Sequence, residues 1–482
     1  MVIYITRGGA VSLTVRSVIL QLLENRIPFY GWEEQKLPDA VPDNLDDFDA
    51  AIIDEEILRE ASPEMRAKLE QYAREKYICI IPASYERGPM SLTEQMLEVD
   101  LNMFAAGAHL GPEELPALSD EVIISGFIER AIDFWENDSF ECINEYHLHF
   151  IEGALALEKS RYAPENWSAR IDAAFERVYD LLTPDGDHDQ LCGASLMNIY
   201  AQRCKRPGAQ EKMFKIIDRI LQTRPRTPEG ILAMGGNMDD PLFFSGLDTP
   251  MFGRNSFTVA GRDMVTNEIF HFYGGVFAAC AQAGRTELIE ENLRLMRHID
   301  TVHRDSDGLF FHASRKGEVI GEKWGRGNTH ALLGAFYMLR RYPDMAEDIR
   351  NEVLRFIDRS GKALAAVQQK SGLWRNVLNN PATPEELSCT VLITCIYSWC
   401  VNRGLLPEAE YAPMLLRSRD ALKRRFWHGY GTANCVGSFP AYRHPEFYMR
   451  RRFHGAVMPL IVPALLETAE LEKRITGSGE RR

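Results

Sequence analysis

A mainly α-helical (α/α)6 barrel preceded by a small three-layer α/β domain is the architecture this sequence predicts, and three observations predict it. Short apolar runs alternate with helical patterns at the start of the chain. From about Ser119 onward, apolar positions recur at three-to-four spacing in one stretch after another. Loops rich in Gly, Asp, His and Trp separate alternate stretches, as expected of helical hairpins that stand in a ring with their chemistry at one mouth.

The runs Val2–Ile5, Ala50–Ile53 and Tyr77–Ile81 are short and continuously apolar, fit for buried strands. Helical patterns lie between them at about Leu13–Asn25 and Pro63–Glu75, so residues 1–110 are expected to form the α/β domain. Arg7-Gly8-Gly9 follows the first run but lacks the spacing of a dinucleotide or P-loop fingerprint, and it reads as a tight turn. Residues 111–482 carry the ring. Their helical patterns are Val122–Trp135, Tyr146–Leu157, Trp167–Leu182, Ala194–Arg203, Glu211–Gln222, Phe270–Ala283, Leu288–Val302, His330–Arg340, Met345–Gln369, Leu387–Asn402, Tyr411–Arg424 and Ala456–Lys473. A dozen helices make six hairpins, although the hairpins show no strict sequence repeat.

Composition narrows the function. With 55 Lys and Arg against 69 Asp and Glu in 482 residues the formal charge is −14, which argues against a nucleic-acid partner, since such binding rests on many cations that release counterions. The 9 cysteines are scattered through apolar stretches and never spaced C-x-x-C, a pattern of reduced core thiols and not of zinc sites or disulfides. The chain opens on a strand-like run without a basic and apolar leader, and Pro459 and Pro463 interrupt its longest apolar run. A cytoplasmic protein without a membrane span is expected; self-association into a homo-oligomer stays open.

Four loops carry candidate chemistry. Asp185-Gly186-Asp187-His188-Asp189-Gln190 places more carboxylates before a helix than capping needs. Gly308-Leu309-Phe310-Phe311-His312 and Lys323-Trp324-Gly325-Arg326-Gly327-Asn328-Thr329-His330 combine aromatics, Arg and His, suited to stacking on a sugar ring and gripping a carboxylate. Gly372-Leu373-Trp374, followed by Glu385-Glu386-Leu387-Ser388, completes the set.

These landmarks, with Arg224-Pro225-Arg226-Thr227-Pro228-Glu229-Gly230 and Asn402-Arg403-Gly404-Leu405-Leu406-Pro407, run in order from about Asn144 to Glu470. The ordered set resembles glycoside hydrolase family 105 and its relative family 88, the unsaturated rhamnogalacturonyl and glucuronyl hydrolases. The resemblance implies a six-hairpin barrel that removes a Δ4,5-unsaturated uronic acid from the end of an acidic oligosaccharide. The vinyl ether is hydrated: an acid protonates C4, water adds at C5, and the hemiketal opens and expels the sugar. It implies Asp189 as the principal acid–base group, His188, His312, Trp324, Arg326, His330, Trp374 and Glu386 as substrate-binding residues, and no metal or organic cofactor.

The sequence departs from that family at one important position. Where the family carries a second aspartate, in a Met-Trp-x-Asp pattern, this chain has Met264-Val265-Thr266-Asn267, and an amide cannot exchange a proton. Asn267 is then either a helix cap or a retained active-site position. Either Asp189 works unaided, or Glu268 or Asp263 has taken over, or the chain has another substrate or no activity. His330 also lies where the family usually has an aromatic residue. Two other readings stand beside the leading one: a glycosidase for saturated glucuronides or galacturonides using a carboxylate pair, and a non-catalytic carbohydrate-binding or regulatory descendant.

Overall fold

A helix apolar on every side must be enclosed on every side, whereas one with an apolar stripe rests on others and faces water. The barrel helices sort on this rule. In the computed structural model, which describes residues 2–5, 50–54, 61–75, 77–81, 117–136, 143, 145–183, 189–233, 264–383, 385–425, 432–436, 448 and 453–479, the chain runs as follows. First come β1 (Val2–Ile5), β2 (Ala50–Asp54), α1 (Pro63–Glu75) and β3 (Tyr77–Ile81). Next are α2 (Asp120–Glu136), α3 (Glu145–Glu158), α4 (Trp167–Leu181), α5 (Asp189–Ala194), α6 (Met197–Arg203) and α7 (Pro207–Thr223). Then follow β4 (Val265–Thr266), α8 (Asn267–Gln282), α9 (Ile289–His298), β5 (Ala313–Arg315), β6 (Glu318–Ile320), α10 (Gly325–Arg341) and α11 (Glu347–Val367). The chain ends with β7 (Trp374–Arg375), β8 (Glu385–Glu386), α12 (Leu387–Asn402), α13 (Glu408–Arg425), β9 (Thr432–Val436), β10 (Phe453–Val457) and α14 (Ile461–Gly479).

Ile269 to Ala281 of α8 and Leu387 to Ser398 of α12 are buried without a break, and α10 is nearly so, which makes these inner helices. The helices α7, α9 and α11 bury one stripe each and stand outside. Packing neighbours close the inner ring in the order α3, α5, α8, α10, α12, α14 and back to α3, with α2, α4, α7, α9, α11 and α13 around it. This is the six-hairpin (α/α)6 barrel. α8 and α10 cross closely, and a Cβ on Gly274 would stand 2.6 Å from the Gly334 carbonyl oxygen. Only glycine lets the two backbones approach so closely.

Several sequence expectations are adjusted. The single helix expected over Ala194–Arg203 starts earlier, at Asp189, and breaks before Met197. The last helix begins at Ile461, because the chain from Phe453 to Val457 pairs antiparallel with Thr432–Val436. At the chain's start β1, β2 and β3 form a parallel sheet in sequence order, with α1 leading into β3. The helix expected over Leu13–Asn25 and the Arg7-Gly8-Gly9 turn lie outside the described residues, as does the 110/111 boundary. Among the described residues no helix is long and apolar enough to cross a membrane. Cys192, Cys280, Cys389, Cys395 and Cys400 are buried and form no disulfide, as their apolar settings suggested.

Candidate active site

Two short ladders hold the loops that precede the inner helices. Thr266 of β4 pairs with Ala313 of β5, which brings Asn267 and His312 side by side at the start of α8. Trp374 of β7 pairs with Glu386 of β8 at the start of α12. A buried amide then locks two of the sequence motifs together. Asn328 Oδ1 accepts from Phe310 N–H at 2.8 Å, while its Nδ2 donates to the carbonyls of Phe310 (2.8 Å) and Trp324 (2.9 Å). Lys323 adds an ion pair to Asp305 at 2.7 Å, tying the same two loops at their far side.

The loops converge on Glu268, in the first turn of α8. Glu268 Oε1 lies 2.7 Å from His312 Nε2, and His312 Nδ1 lies 2.7 Å from the Tyr448 hydroxyl. Glu268 accepts from His312 Nε2–H, and the Tyr448 hydroxyl holds the other ring nitrogen, so the ring is fixed from both sides. His330, in the first turns of α10, places Nδ1 3.7 Å from the same Oε1. The second oxygen, Oε2, is buried and has no hydrogen-bond partner. Burial pushes the Glu268 carboxyl up, but the His312 imidazole, with His330 beyond it, outweighs burial and holds it well below the usual carboxylate range. The group is thus an ionised acceptor with one oxygen fixed and one uncommitted.

Around it stand aromatic and cationic groups. The Trp324 ring packs on His312 (ring centroids 4.8 Å apart) and meets His330 edge-on at 5.9 Å. Arg326, half-buried in the first turn of α10, carries its guanidinium 4.9 Å from the Trp324 ring centre and donates to Ser388 Oγ at 3.3 Å. Ser388 in turn donates to Glu386 Oε1 at 2.6 Å, and Glu386 Oε2 caps α12 by accepting from Cys389 N–H at 2.9 Å. Since first-turn residues of α8, α10 and α12 meet here, several helix N-termini point their partial positive charge at one mouth, which favours an anionic ligand.

Asn267 is not the cap of α8. Thr266 occupies that position, and Asn267 is the first helical residue, fully buried. Its Nδ2 donates to the Phe311 carbonyl at 2.9 Å, its Oδ1 lies 2.8 Å from His303 Nδ1, and its backbone N–H donates to the His312 carbonyl at 3.1 Å. With its amide spent on Phe311 and His303 and its backbone N–H on His312, it holds in place the segment that carries His312. His303 continues the chain to Ser314 Oγ at 2.8 Å, and burial lowers its pKa to about 3.

Of the other expected residues, Trp374 is fully buried and donates from Nε1 to the Leu364 carbonyl at 2.8 Å, a core position between α11 and α12 and not a sugar platform. Glu386 is 2 % exposed and acts on the site through Ser388 and Arg326, as a helix cap rather than a direct contact. Asp189 opens α5, between α3 and α8 in the ring, but its side chain lies outside the described residues, as do His188 and Asp263. The Arg226 turn belongs to the scaffold, with Arg226 paired to Glu291 of α9 at 2.9 Å.

Sequence reading passed over four residues. Tyr448 is 136 positions from His312 and no local pattern links them. Glu145 and His149 sit one turn apart on α3, and His271 follows Glu268 on α8; an acidic and imidazole pair at the start of an inner helix was a signal available in Glu145-Tyr146-His147-Leu148-His149.

Residues 272–456 match the family model for Glycosyl Hydrolase Family 88. The stretch includes His312, Trp324, Arg326, His330 and Tyr448, and starts four residues after Glu268. Among solved structures, a possible GH105 family member from Klebsiella pneumoniae subsp. pneumoniae MGH 78578 superposes with TM-score 0.60 at 14% identity, over 74% of this chain and 93% of that one. A possible GH105 family member from Salmonella enterica subsp. enterica serovar Paratyphi A str. ATCC 9150 gives TM-score 0.59 at 14% identity, over 76% and 96%. The unsaturated glucuronyl hydrolase of Bacillus sp. GL1, responsible for the degradation of glycosaminoglycan, gives 0.52 at 15%, over 74% and 98%. At such identities the superpositions speak to the fold. No curated protein matches the chain in sequence.

Proposed function

We propose that the chain is a glycoside hydrolase of the family 88 type, whose model it matches over residues 272–456, and that it releases a terminal Δ4,5-unsaturated uronic acid from an acidic oligosaccharide by hydrating the vinyl ether. The observation that carries this reading is the state of Glu268: ionised, held through one oxygen by His312, and uncommitted at the other. Such a group accepts a proton from water and cannot donate one at neutral pH.

The reaction then divides between two carboxyls. Asp189, at the start of the neighbouring α5, gives its proton to C4 of the unsaturated ring, which leaves an oxocarbenium ion at C5. Water held at Glu268 Oε2 adds at C5 and passes a proton to the carboxylate, with His312 and Tyr448 keeping Glu268 oriented. The hemiketal opens and the linked sugar departs. Arg326 grips the uronate carboxylate through its planar fork, which Trp324 below and Ser388 behind hold in place. Residues 1–110 are proposed as an accessory domain without a part in the reaction.

The test is a panel of lyase-generated unsaturated oligosaccharides beside saturated glucuronides and galacturonides, with products identified by mass. Release of the shortened oligosaccharide from unsaturated members only is the expected result. An ionised Glu268 also suits the base or nucleophile of an ordinary glycosidase, so cleavage of saturated members alone would replace hydration with that chemistry. Cleavage of neither would leave a carbohydrate-binding descendant.

A further inference from the structure

Beside Glu268 the barrel interior holds a group of imidazoles, of which His330 alone approaches the proposed base, its Nδ1 3.7 Å from Glu268 Oε1. His149 of α3, His271 of α8 and His330 of α10 stack in a row, with ring centroids 5.3 Å apart at each step and interplanar angles of 19° and 17°. All three are at least nine-tenths buried, His271 almost completely. Both ring nitrogens of His271, Nδ1 of His330 and Nε2 of His149 are buried without a hydrogen-bond partner. Buried polar atoms are nearly always paired, so several orphaned imidazole nitrogens in one place call for an explanation. Stacking does not supply one, because it satisfies ring faces and leaves the in-plane lone pairs and N–H groups without partners.

A metal ion supplies one. Glu145, His271 and His330 each present a ligand atom, and the three atoms lie within 4.8 Å of one another. They come from α3, α8 and α10, three inner helices whose relative positions the ring fixes. Two imidazoles and one carboxylate form the donor set of an open, three-ligand site for a borderline transition metal, and such a set does not suit magnesium or calcium, which take oxygen ligands.

We propose that Glu145, His271 and His330 bind one divalent transition-metal ion of the zinc type, with His149 as the adjoining wall. Although His330 borders Glu268, the test of this site reads binding and not turnover, so its failure is distinguishable from that of the proposed reaction.

The full chain is stripped with a chelator, desalted, titrated with Co2+ while visible d–d absorption is recorded, and challenged with Zn2+ in competition. One equivalent of Co2+ per chain with a saturating band that Zn2+ displaces is the expected result. Glu145→Gln, a near-isosteric change at a half-buried position, and His330→Ala are each expected to weaken Co2+ binding at least about tenfold, since even outer-sphere changes cost that much. His298→Ala, a control on another histidine, should leave stoichiometry and affinity unchanged. A stripped wild-type chain that gives no band and retains no metal overturns the proposal. So does a band that survives unchanged in the Glu145→Gln variant, which keeps the test decisive even where His330→Ala fails to fold.

Discussion

Glu268 Oε1 and His312 Nε2 stand 2.7 Å apart although 44 positions separate them in sequence. The contact exists because β4 and β5 pair just ahead of α8, setting Thr266 against Ala313. Glu268 is therefore oriented by a residue from a different hairpin loop, and Tyr448 steadies that residue from a third segment. Glu268→Gln removes the charge and keeps the shape. It should lower kcat about 10²–10⁴-fold, with the thermal midpoint little changed and substrate still bound. Near-normal turnover by a folded variant would assign the base to another group.

Asn267 makes a contrasting case, because restoring the family's aspartate should not restore a catalytic group. In Asn267→Asp an oxygen replaces the amide that donates to the Phe311 carbonyl, setting two acceptors against each other in a buried site. Stability should fall by about 1–3 kcal/mol, and activity should fall with the displacement of His312. Urea unfolding beside initial rates reads both effects. Unchanged stability with raised activity would return Asn267 to the list of reacting groups.

Acid should weaken the same substructure through His303. Burial lowers its folded pKa to about 3, against the ordinary 6.5 of an exposed ring. Between those values the unfolded chain binds the proton and the folded one does not, so this contribution is complete above about pH 6.5 and is lost as pH falls toward 3. Stability should drop by up to about 2–3 kcal/mol from pH 6.5 to 4.5 on this account. The His303→Gln variant should show a shallower dependence in urea midpoints measured across that range. Parallel curves for the two proteins would contradict the assignment.

Arg326→Lys tests recognition apart from chemistry. Lys keeps the charge but loses the planar fork and the stacking on Trp324. KM for uronate-terminated substrates should rise by about tenfold or more, a loss of roughly 1.4 kcal/mol, with kcat changed less. An equal effect on neutral analogues would make Arg326 a scaffold residue.

Much of the barrel was legible because enclosure writes itself into sequence: α8 and α12 are apolar all round, and α9 and α11 show a stripe. The close approaches that lock the ring, such as Gly274 against Gly334, were not legible, since no local pattern encodes them. Within the site, the Trp324–Arg326 and Gly308–His312 loops stood out because they mix aromatic and charged residues with glycine, and Asn328 joins them. Trp374 looked the same by composition but faces the core, because exposure and burial of a loop tryptophan produce one signature. Glu145, His149 and His271 escaped notice because a histidine inside an apolar helix reads as ordinary core until its neighbours are known.

The central claim, hydration of an unsaturated uronide, is tested most directly by following the ultraviolet absorbance of the conjugated uronate in a Δ4,5-unsaturated disaccharide mixed with the full-length protein. Hydration destroys the conjugation. The account predicts a steady fall in absorbance, matched mole for mole by release of the partner sugar and lost in Glu268→Gln. Constant absorbance across unsaturated substrates, while a saturated glucuronide is cleaved, would contradict it.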